Sequence, residues 1–299
     1  MFKLEGVASF VAVAESGSIT EAARRLHLSK SVVSERLAEM EQVLGARLLH
    51  RTTRRVSLTE DGAAFLERAT RILREVEDAA AEMTERRGTL SGPLRIAAPV
   101  TFGRLHLGPA LYPFLARHPD IDLSLDLDDR RVDASSEGYD AVIRHGAVGD
   151  SRLVAWPLAP SRRLLVASPA YLDQCGAPDS PEALQRHHGI FYTNRGIADW
   201  SFLQDGEMTS LRARARLRVN NGDMMLDAAL AGLGIALLPT FLAGAALKSG
   251  ALRSVDIGVQ TAAESIYVAH AGGRRASAKL RALVEHLREA IGSPPYWDV

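Results

Sequence analysis

Short polar side chains stand at the start of a helix-forming stretch near the N-terminus, in the sequence SKSVVSERL. On a helical wheel, Ser31 and Ser34 fall opposite Val33 and Leu37, so the polar face is exposed when the apolar face packs inward. Small hydrogen-bonding groups on such a helix are suited to reading base edges in the major groove, which admits one helix. The residues predicted to contact DNA from this helix are Ser29, Lys30, Ser31, Ser34, Glu35 and Arg36.

A basic segment follows this helix. Residues 46–58 contain four arginines and one histidine and no acidic residue. β-Branched residues around a short turn predict a two-stranded wing that meets phosphates or a minor groove. For any single residue, helix capping or a solvated surface is the better explanation, but the joint pattern favours DNA. The residues predicted to contact DNA from the wing are Arg51, Thr52, Thr53, Arg54 and Arg55.

Three short helices are predicted to position this surface. Gly17 ends the first helix, and Ser18 caps the second, with Glu21 three residues on as a capping box. Ser29 caps the third helix, and Gly45 ends it. The turn of about three residues between the second and third helices is the spacing of a helix-turn-helix.

A longer helix is predicted next, capped by Thr59 and running from about Glu60 to Arg87. Apolar residues recur along it at heptad-like spacing on an otherwise charged surface, and such a stripe needs a partner helix. An ordinary amphipathic helix packed on its own domain is the alternative explanation. The residues predicted to mediate dimerisation are Phe65, Ala69, Ile72, Val76 and Met83.

The rest of the chain alternates strand-like and helix-like segments after a small-residue hinge, GTLSGP, at residues 88–93. Such alternation predicts an α/β fold with a mostly parallel sheet covered by helices, and the length allows two lobes. The predicted domains are a winged helix-turn-helix at 1–59, a linker helix at 60–90 and an α/β domain at 91–299, in which lobe I is 91–161 and 266–299 and lobe II is 162–265.

Composition limits the classes of partner and compartment. The 36 basic and 36 acidic residues give a formal net charge of zero, so a polyanion must bind to a local patch. Cys175 stands alone, which excludes an intramolecular disulfide and a cysteine-cluster metal site. The first residues lack a basic start with a small-residue cleavage site, and no apolar run reaches about 18 residues. We therefore predict a cytoplasmic protein without a membrane segment, a cofactor or a metal.

Residues 4 to 62 resemble the winged helix-turn-helix of LysR-type transcriptional regulators. The match is dense over FVAVAESGSITEAARRLHLSKSVVSERLAEMEQVLGARLLHRTTRRVSLTEDG, more than fifty positions. Downstream, LRIAAPVTFGRLHLGP, YDAVIRHG and GDMMLDAALAGLGIALLP resemble the effector domain of that family. The sequence departs at Lys30 and Ser31, where the family often has Gln and Pro, and at Glu35, where it has a basic or amide residue. The operator sequence therefore cannot be carried over.

The resemblance implies a fold, a function and partners. The fold is α/β: an all-α winged helix-turn-helix with a linker helix, then two Rossmann-like subdomains of the periplasmic-binding-protein type. The function is allosteric transcription regulation, with a small-molecule effector bound between the lobes. The partners are double-stranded DNA with an interrupted palindromic operator, an anionic or polar organic effector, further copies in a homodimer or homotetramer, and RNA polymerase.

The predicted effector residues lie at strand ends, where open α/β sheets bind ligands. Thr101 starts a helix after a strand, so its hydroxyl and nearby backbone N–H groups could form an anion site. Arg144 closes a strand and could pair with a carboxylate. Helix capping for Thr101, an ion pair of Arg144 with Asp140 or Asp150, and a turn role for Asn221 remain open. The full set is Pro99, Val100, Thr101, Phe102, Arg144, Thr193, Asn194, Asn221 and Gly222.

Catalysis is not predicted. The adjacent His187 and His188 cannot both face one way on a regular element, and neither HExxH, a P-loop nor a GxGxxG fingerprint occurs. A cytosolic solute-type binding protein without a role on DNA is the alternative function, because the last two hundred or so residues resemble that fold. The basic winged module and the absence of a signal peptide argue against it.

Overall fold

The computed structural model describes residues 3–51, 56–85, 89–130, 132, 137–146, 153–204, 207–211, 213–271 and 276–298. The chain divides into two compact units, the first made mainly of residues 1–92 and the second mainly of residues 93–299. Among the described helices, none is long and apolar enough to cross a membrane.

The first unit is built from helices and one hairpin. Its elements are α1 (Leu4–Ser16), α2 (Ile19–Arg25), α3 (Lys30–Leu44), β1 (Leu49–Arg51), β2 (Val56–Leu58) and α4 (Glu60–Glu85). The strands β1 and β2 pair antiparallel, which confirms the predicted two-stranded wing. The core is made of buried side chains from all four helices, among them Val7, Phe10, Val13, Ala22, Val33, Leu37, Met40 and Ala69.

The predicted helix ends are confirmed. Gly17 and Gly45 end α1 and α3 in the left-handed conformation, with φ of 63° and 68°. The Ser29 hydroxyl accepts from the Val32 N–H, and the Thr59 hydroxyl accepts from the Gly62 N–H. These local signals therefore fix where α3 and α4 begin.

The capping box at α2 forms only in half. The Ser18 hydroxyl accepts from the Glu21 N–H, as predicted. The Glu21 carboxylate instead binds the Arg24 guanidinium at 2.5 Å, and the Ser18 N–H donates to the Ser16 hydroxyl. Both Glu21 carboxylate oxygens accept from the Arg24 guanidinium one turn on, so Glu21 does not close the box.

The second unit contains two five-stranded sheets and a small third one. Its strands are β3 (Gly92–Ala98), β4 (Ile121–Leu127), β5 (Ala141–His145), β6 (Leu153–Ser161), β7 (Arg163–Ala167), β8 (His188–Tyr192), β9 (Ser201–Gln204), β10 (Glu207–Ser210), β11 (Arg214–Val219), β12 (Ile235–Pro239), β13 (Arg253–Ser254), β14 (Gln260–Thr261) and β15 (Glu264–Ala271). The strand orders are β4-β3-β5-β15-β6, β11-β8-β12-β7-β13 and β10-β9-β14.

Helices cover these sheets. They are α5 (Val100–Phe102), which continues through a π-helical turn (Gly103–Leu107) into α6 (Gly108–Arg117), then α7 (Pro169–Cys175), α8 (Gly222–Leu230), α9 (Thr240–Lys248) and α10 (Ala278–Ile291), with 3-10 turns at Ala183–Arg186 and Thr193–Trp200. Because α5 to α6 form one continuous run, the helix that follows β3 begins at Val100.

The large sheets are mixed, which corrects the expectation of a mostly parallel sheet. β3 runs parallel to β5, and β8 runs parallel to both β11 and β12. β15 is antiparallel to β5 and β6, and β7 is antiparallel to β12 and β13. β7 and β15 are the strands with which the chain enters the second sheet and returns to the first. Each of these two strands runs antiparallel to both of its neighbours in the sheet that it joins.

Candidate functional site

The polar end of α3 is exposed. Lys30, Ser31 and Glu35 lie on the surface, Ser34 is half-buried, and Val33 behind them is fully buried. Ser29 serves as the helix cap, and its hydroxyl also lies 2.8 Å from the hydroxyl of Ser31. A row of small hydrogen-bonding groups is thus presented on a rigid helix whose other side is packed.

Arg36 faces a different direction from this row. Its guanidinium lies 3.1 Å from the Glu5 carboxylate of α1, and its side chain is 27% exposed. The pair ties Arg36 to α1 on the flank of α3, and the DNA contact of Arg36 stays a prediction.

The described part of the wing is its two strands, β1 and β2. Leu49 pairs with Leu58, and Arg51 pairs with Val56. Only the backbone of Arg51 is described. The predicted contacts at Thr52, Thr53, Arg54 and Arg55 lie outside the described residues.

The apolar stripe of α4 divides into two parts. The Phe65 ring lies 5.5 Å from the Phe10 ring, and Ala69 is fully buried in the core of its own unit. Ile72 and Val76 are 41% and 46% exposed. Phe65 and Ala69 are therefore withdrawn from the predicted dimer surface, because the start of α4 packs against α1, while the side chain of Met83 lies outside the described residues.

A cavity of about 670 Å³ lies in the second unit and is lined from both large sheets. The apolar parts of its wall include the side chains of Tyr192, Met225 and Phe241. The predicted effector residues that line it are Pro99, Thr101, Phe102, Arg144, Asn194 and Gly222; Val100, Thr193 and Asn221 are not in its wall.

The predicted anion site at the start of α5 is occupied by the chain itself. The Val100 N–H donates to Asp129 Oδ1 at 3.0 Å, and the Asn221 amide donates to Asp129 Oδ2 at 2.9 Å. The Asn194 amide donates to the backbone oxygen of Asp129 at 2.6 Å. Asp129, which the sequence reading missed, therefore takes the place expected for an anion.

Thr101 and Asn221 also have structural roles. The buried Thr101 hydroxyl donates to Asp223 Oδ2 at 3.0 Å, and the Arg104 guanidinium lies 2.7 Å from Asp223 Oδ1. Thr101 does not cap its helix, since Pro99 precedes the first helical residue. Asn221 is the N-cap of α8, where its Oδ1 accepts from the Met224 N–H, a capping role in place of the turn role considered for it.

Of the remaining predicted effector residues, Arg144 lines the cavity and Thr193 does not. Arg144 donates to the backbone oxygen of Val132, and both residues line the cavity. Thr193 is exposed at the start of a 3-10 turn. Asp150, one of the two partners considered for Arg144, lies outside the described residues.

Three further lining residues, which were not predicted from the sequence, form a partly buried cluster. Arg195 donates to both carboxylate oxygens of Glu264, at 2.6 and 3.0 Å, and to Nδ1 of His145 at 3.0 Å. His145 Nε2 lies 3.1 Å from Glu264 Oε2. A guanidinium only donates, so Nδ1 must accept and the proton of a neutral His145 sits on Nε2, facing Glu264.

The cluster fixes its own protonation states. Burial, reinforced by the positive charge of Arg195, lowers the pKa of His145 to about 3, against the opposing effect of Glu264. Burial alone would raise the pKa of Glu264, but the hydrogen bonds from Arg195 bring it below its ordinary value. His145 is thus neutral and Glu264 ionised at pH 7. His145 follows Arg144 at the end of the same strand, so the strand-end rule could have found it.

Family comparison agrees with this architecture. Residues 4–63 match the model described as bacterial regulatory helix-turn-helix protein, lysR family, and residues 87–292 match the LysR substrate binding domain. The chain belongs to the LysR family of transcriptional regulators. The fold predicted from the sequence and the predicted family are both confirmed.

Relatives of this LysR-type regulator cover nearly the whole chain. It is 34% identical to the HTH-type transcriptional regulator PtxR of Pseudomonas aeruginosa, over 96% of this chain and 93% of that protein. The structure of CrgA, a LysR-type transcriptional regulator from Neisseria meningitidis, is 32% identical, with a TM-score of 0.59 over 95% and 98% of the two chains. The Vibrio cholerae virulence activator AphB is 26% identical, with a TM-score of 0.57 over 96% and 98%.

The predicted function is confirmed at the level of the family. The LysR-type regulator carries a helix-turn-helix DNA-binding domain and a substrate domain that binds an effector. Its relatives are named as transcriptional regulators, so the alternative of a solute-binding protein without a role on DNA is not favoured. LysR-type regulators bind DNA and small molecules and form oligomers.

Proposed function

We propose that this LysR-type regulator binds an interrupted palindromic operator as a homotetramer and that a small organic effector in the cavity switches it. The observation that carries the proposal is the cavity itself. Its volume of about 670 Å³ falls within the range of about 300 to 1,000 Å³ that suits a small organic ligand, and both sheets supply its wall. We propose lobe boundaries at 91–161 with 266–299 and at 162–265.

Base reading is assigned to the exposed end of α3. Ser29, Lys30, Ser31, Ser34 and Glu35 supply donors and acceptors on one face, and Glu35 suits a cytosine amino group. Phosphate binding is assigned to the wing residues Arg51, Thr52, Thr53, Arg54 and Arg55, since residues 46–58 hold four arginines and no acidic residue.

Dimerisation is assigned to the exposed part of the α4 stripe, at Ile72 and Val76 and onward to Met83. Large apolar side chains on an otherwise charged helix are stabilised by a partner helix. A pair of such dimers gives four DNA-binding units, which fits two half-sites at each end of an interrupted palindrome.

The effector is assigned to the cavity wall formed by Pro99, Thr101, Phe102, Arg144, Asn194 and Gly222. Because the wall joins two sheets, a ligand that contacts both changes the equilibrium between open and closed lobes. We propose that closure alters the separation of paired DNA-binding units, and with it the bend of the DNA and contact with RNA polymerase. Ligand and DNA must then change each other's affinity equally.

We propose no catalytic role and a cytoplasmic location. Within the described part of the cavity, the group of side chains nearest to an acid–base pair is His145 with Glu264. Glu264 is held ionised by Arg195, and His145 has a pKa of about 3, so neither is poised for proton transfer near pH 7. The cytoplasmic location follows from the proposed operator, since the protein has to meet duplex DNA.

The proposal is tested by electrophoretic mobility shift with the upstream region of the protein's own gene. If about six phosphates are contacted per dimer, the affinity falls on the order of 10³-fold between 50 and 200 mM salt. A scrambled duplex of equal length is the control for specificity. Equal affinity for both duplexes at each salt concentration would contradict the operator.

A further inference from the structure

An anion site at the start of α5 would depend on three hydrogen-bond donors, and each of them already binds a group of the chain. The Val100 N–H and the Asn221 amide donate to Asp129, and the Thr101 hydroxyl donates to Asp223. The acceptors are two carboxylates of the chain. Asp223 is paired with Arg104 at 2.7 Å, whereas Asp129 lines the cavity and presents its charge there.

Asp129 is held in place by more than these two bonds. The N–H of its neighbour Asp128 donates to the Ala98 backbone oxygen at 3.0 Å, which fixes the loop against β3. The Asn194 amide then binds the Asp129 backbone oxygen at 2.6 Å from the other side. Contacts on both sides thus fix the position of Asp129 in the cavity wall.

The donors come from both halves of the second unit. Val100 begins the helix after β3 in the first sheet, whereas Asn221 caps α8 beside the second sheet. Gly222 shows how close the halves approach there, because a Cβ on it would lie 3.2 Å from the Thr101 hydroxyl oxygen. A ligand carboxylate entering this position would have to displace Asp129 and would face its charge at short range.

We propose that Asp129 is a specificity-determining residue that fills the anion subsite with its own carboxylate, so that the effector presents an uncharged group at this end of the cavity. The inference rests on the proposed function, which makes the cavity the effector site. It replaces the expectation of an anion bound at Thr101 with a neutral polar group there. The Asp129 carboxylate disfavours an acidic ligand where it approaches Thr101, which lines the cavity.

The test compares a charged and an uncharged probe of the same shape. Binding of sodium benzoate and of benzamide to the full-length protein is measured by isothermal titration calorimetry at constant ionic strength. The wild type is expected to bind benzoate no more tightly than benzamide. Asp129→Ala vacates the carboxylate and frees two donors, so its preference for benzoate over benzamide should rise at least tenfold.

Asp128→Ala is the matched control, since Asp128 also lines the cavity but binds Arg130 instead of the helix donors. It should raise the preference for benzoate by less than Asp129→Ala does, because it removes a wall carboxylate without freeing the Val100 and Asn221 donors. Asp129→Ser, which keeps one small acceptor, replaces the alanine variant if that variant melts at a much lower temperature. The inference is overturned if the wild type already prefers benzoate tenfold, or if a folded Asp129 variant gains no preference. DNA is absent from the measurement, so failure of the operator proposal would not alter the result.

Discussion

Arg195 and Glu264 join the two halves of the second unit. The guanidinium donates to both oxygens of the carboxylate at 2.6 and 3.0 Å, and the two side chains are 22% and 16% exposed. Arg195 follows β8 of one large sheet, whereas Glu264 begins β15 of the other. The ion pair therefore lies in the cavity wall and connects an element of one large sheet to an element of the other.

Breaking this pair from one side should be costly. Glu264→Ala leaves the Arg195 charge partly buried, and we expect a loss of roughly 3 to 5 kcal/mol in the free energy of unfolding. The double variant Arg195→Met with Glu264→Gln should recover much of that loss, because no charge is then stranded. Urea unfolding followed by circular dichroism measures both.

The exposed pair of Arg253 and Asp173 is the control for that experiment. Its atoms are 3.8 Å apart, and the side chains are 60% and 74% exposed. Asp173→Ala should cost no more than about 1 kcal/mol. A similar small cost for Glu264→Ala would contradict the structural role of the buried pair.

The His145 site predicts a dependence of stability on pH. Its pKa is about 3 in the folded chain, below the ordinary value of 6.5, so the unfolded chain binds the extra proton first as pH falls. Stability from this residue is fully present above pH 6.5 and is lost progressively between pH 6.5 and 3, reaching about 2 kcal/mol by pH 5. Urea unfolding at pH 7 and pH 5 measures this loss.

The matched variant is His145→Gln, which keeps an acceptor for Arg195 and a donor toward Glu264 without titrating. Its stability should change between pH 7 and pH 5 by about 2 kcal/mol less than that of the wild type. An identical change in both proteins would show that His145 takes up no proton on unfolding.

Substitutions on α3 should separate base reading from support. Ser34→Ala and Glu35→Ala should each change the ratio of affinities for cognate and scrambled DNA by about tenfold, since one good base contact is worth roughly 1 to 3 kcal/mol. Arg36→Ala should leave that ratio within about twofold, because Arg36 is tied to Glu5. Fluorescence anisotropy with both duplexes measures the ratios. Equal losses on the two duplexes for Ser34 and Glu35 variants would remove the base-reading role.

A charge on the exposed stripe of α4 should disrupt the dimer. Ile72→Asp and Val76→Asp place a carboxylate where the side chains are 41% and 46% exposed in one chain, and we expect a shift to monomer in sedimentation velocity. Val43→Asp is the control, since Val43 is 49% exposed on α3, away from the stripe. An unchanged sedimentation coefficient in both α4 variants would place the dimer interface elsewhere.

Local signals predicted the first unit well. The ends at Gly17 and Gly45 and the caps at Ser29 and Thr59 depend on side chains within three residues of the backbone groups that they satisfy. The burial of Ala69 was less predictable, because a heptad-like spacing does not tell whether the partner is a second chain or α1.

The contacts in the cavity wall could not be predicted from local patterns, because they join residues that are far apart in the sequence. Asp129 reaches Asn221 across 92 positions in the sequence, and Arg195 reaches Glu264 across 69. The strand β6 is hard to predict for a different reason. Its prolines, Pro157 and Pro160, argue against a strand in general but are tolerated at the edge of a sheet, which is where β6 lies.

The packing of Phe65 and Ala69 makes the start of α4 a rigid part of the DNA-binding unit. The helix has 26 residues and is about 39 Å long at 1.5 Å per residue. If the helix tilts by about 5° about its C-terminal end, its N-terminal end moves by about 3.4 Å, which is the rise of one base pair. An angular change too small to disturb the packing of two helices is thus enough to carry a DNA-binding unit from one base step to the next.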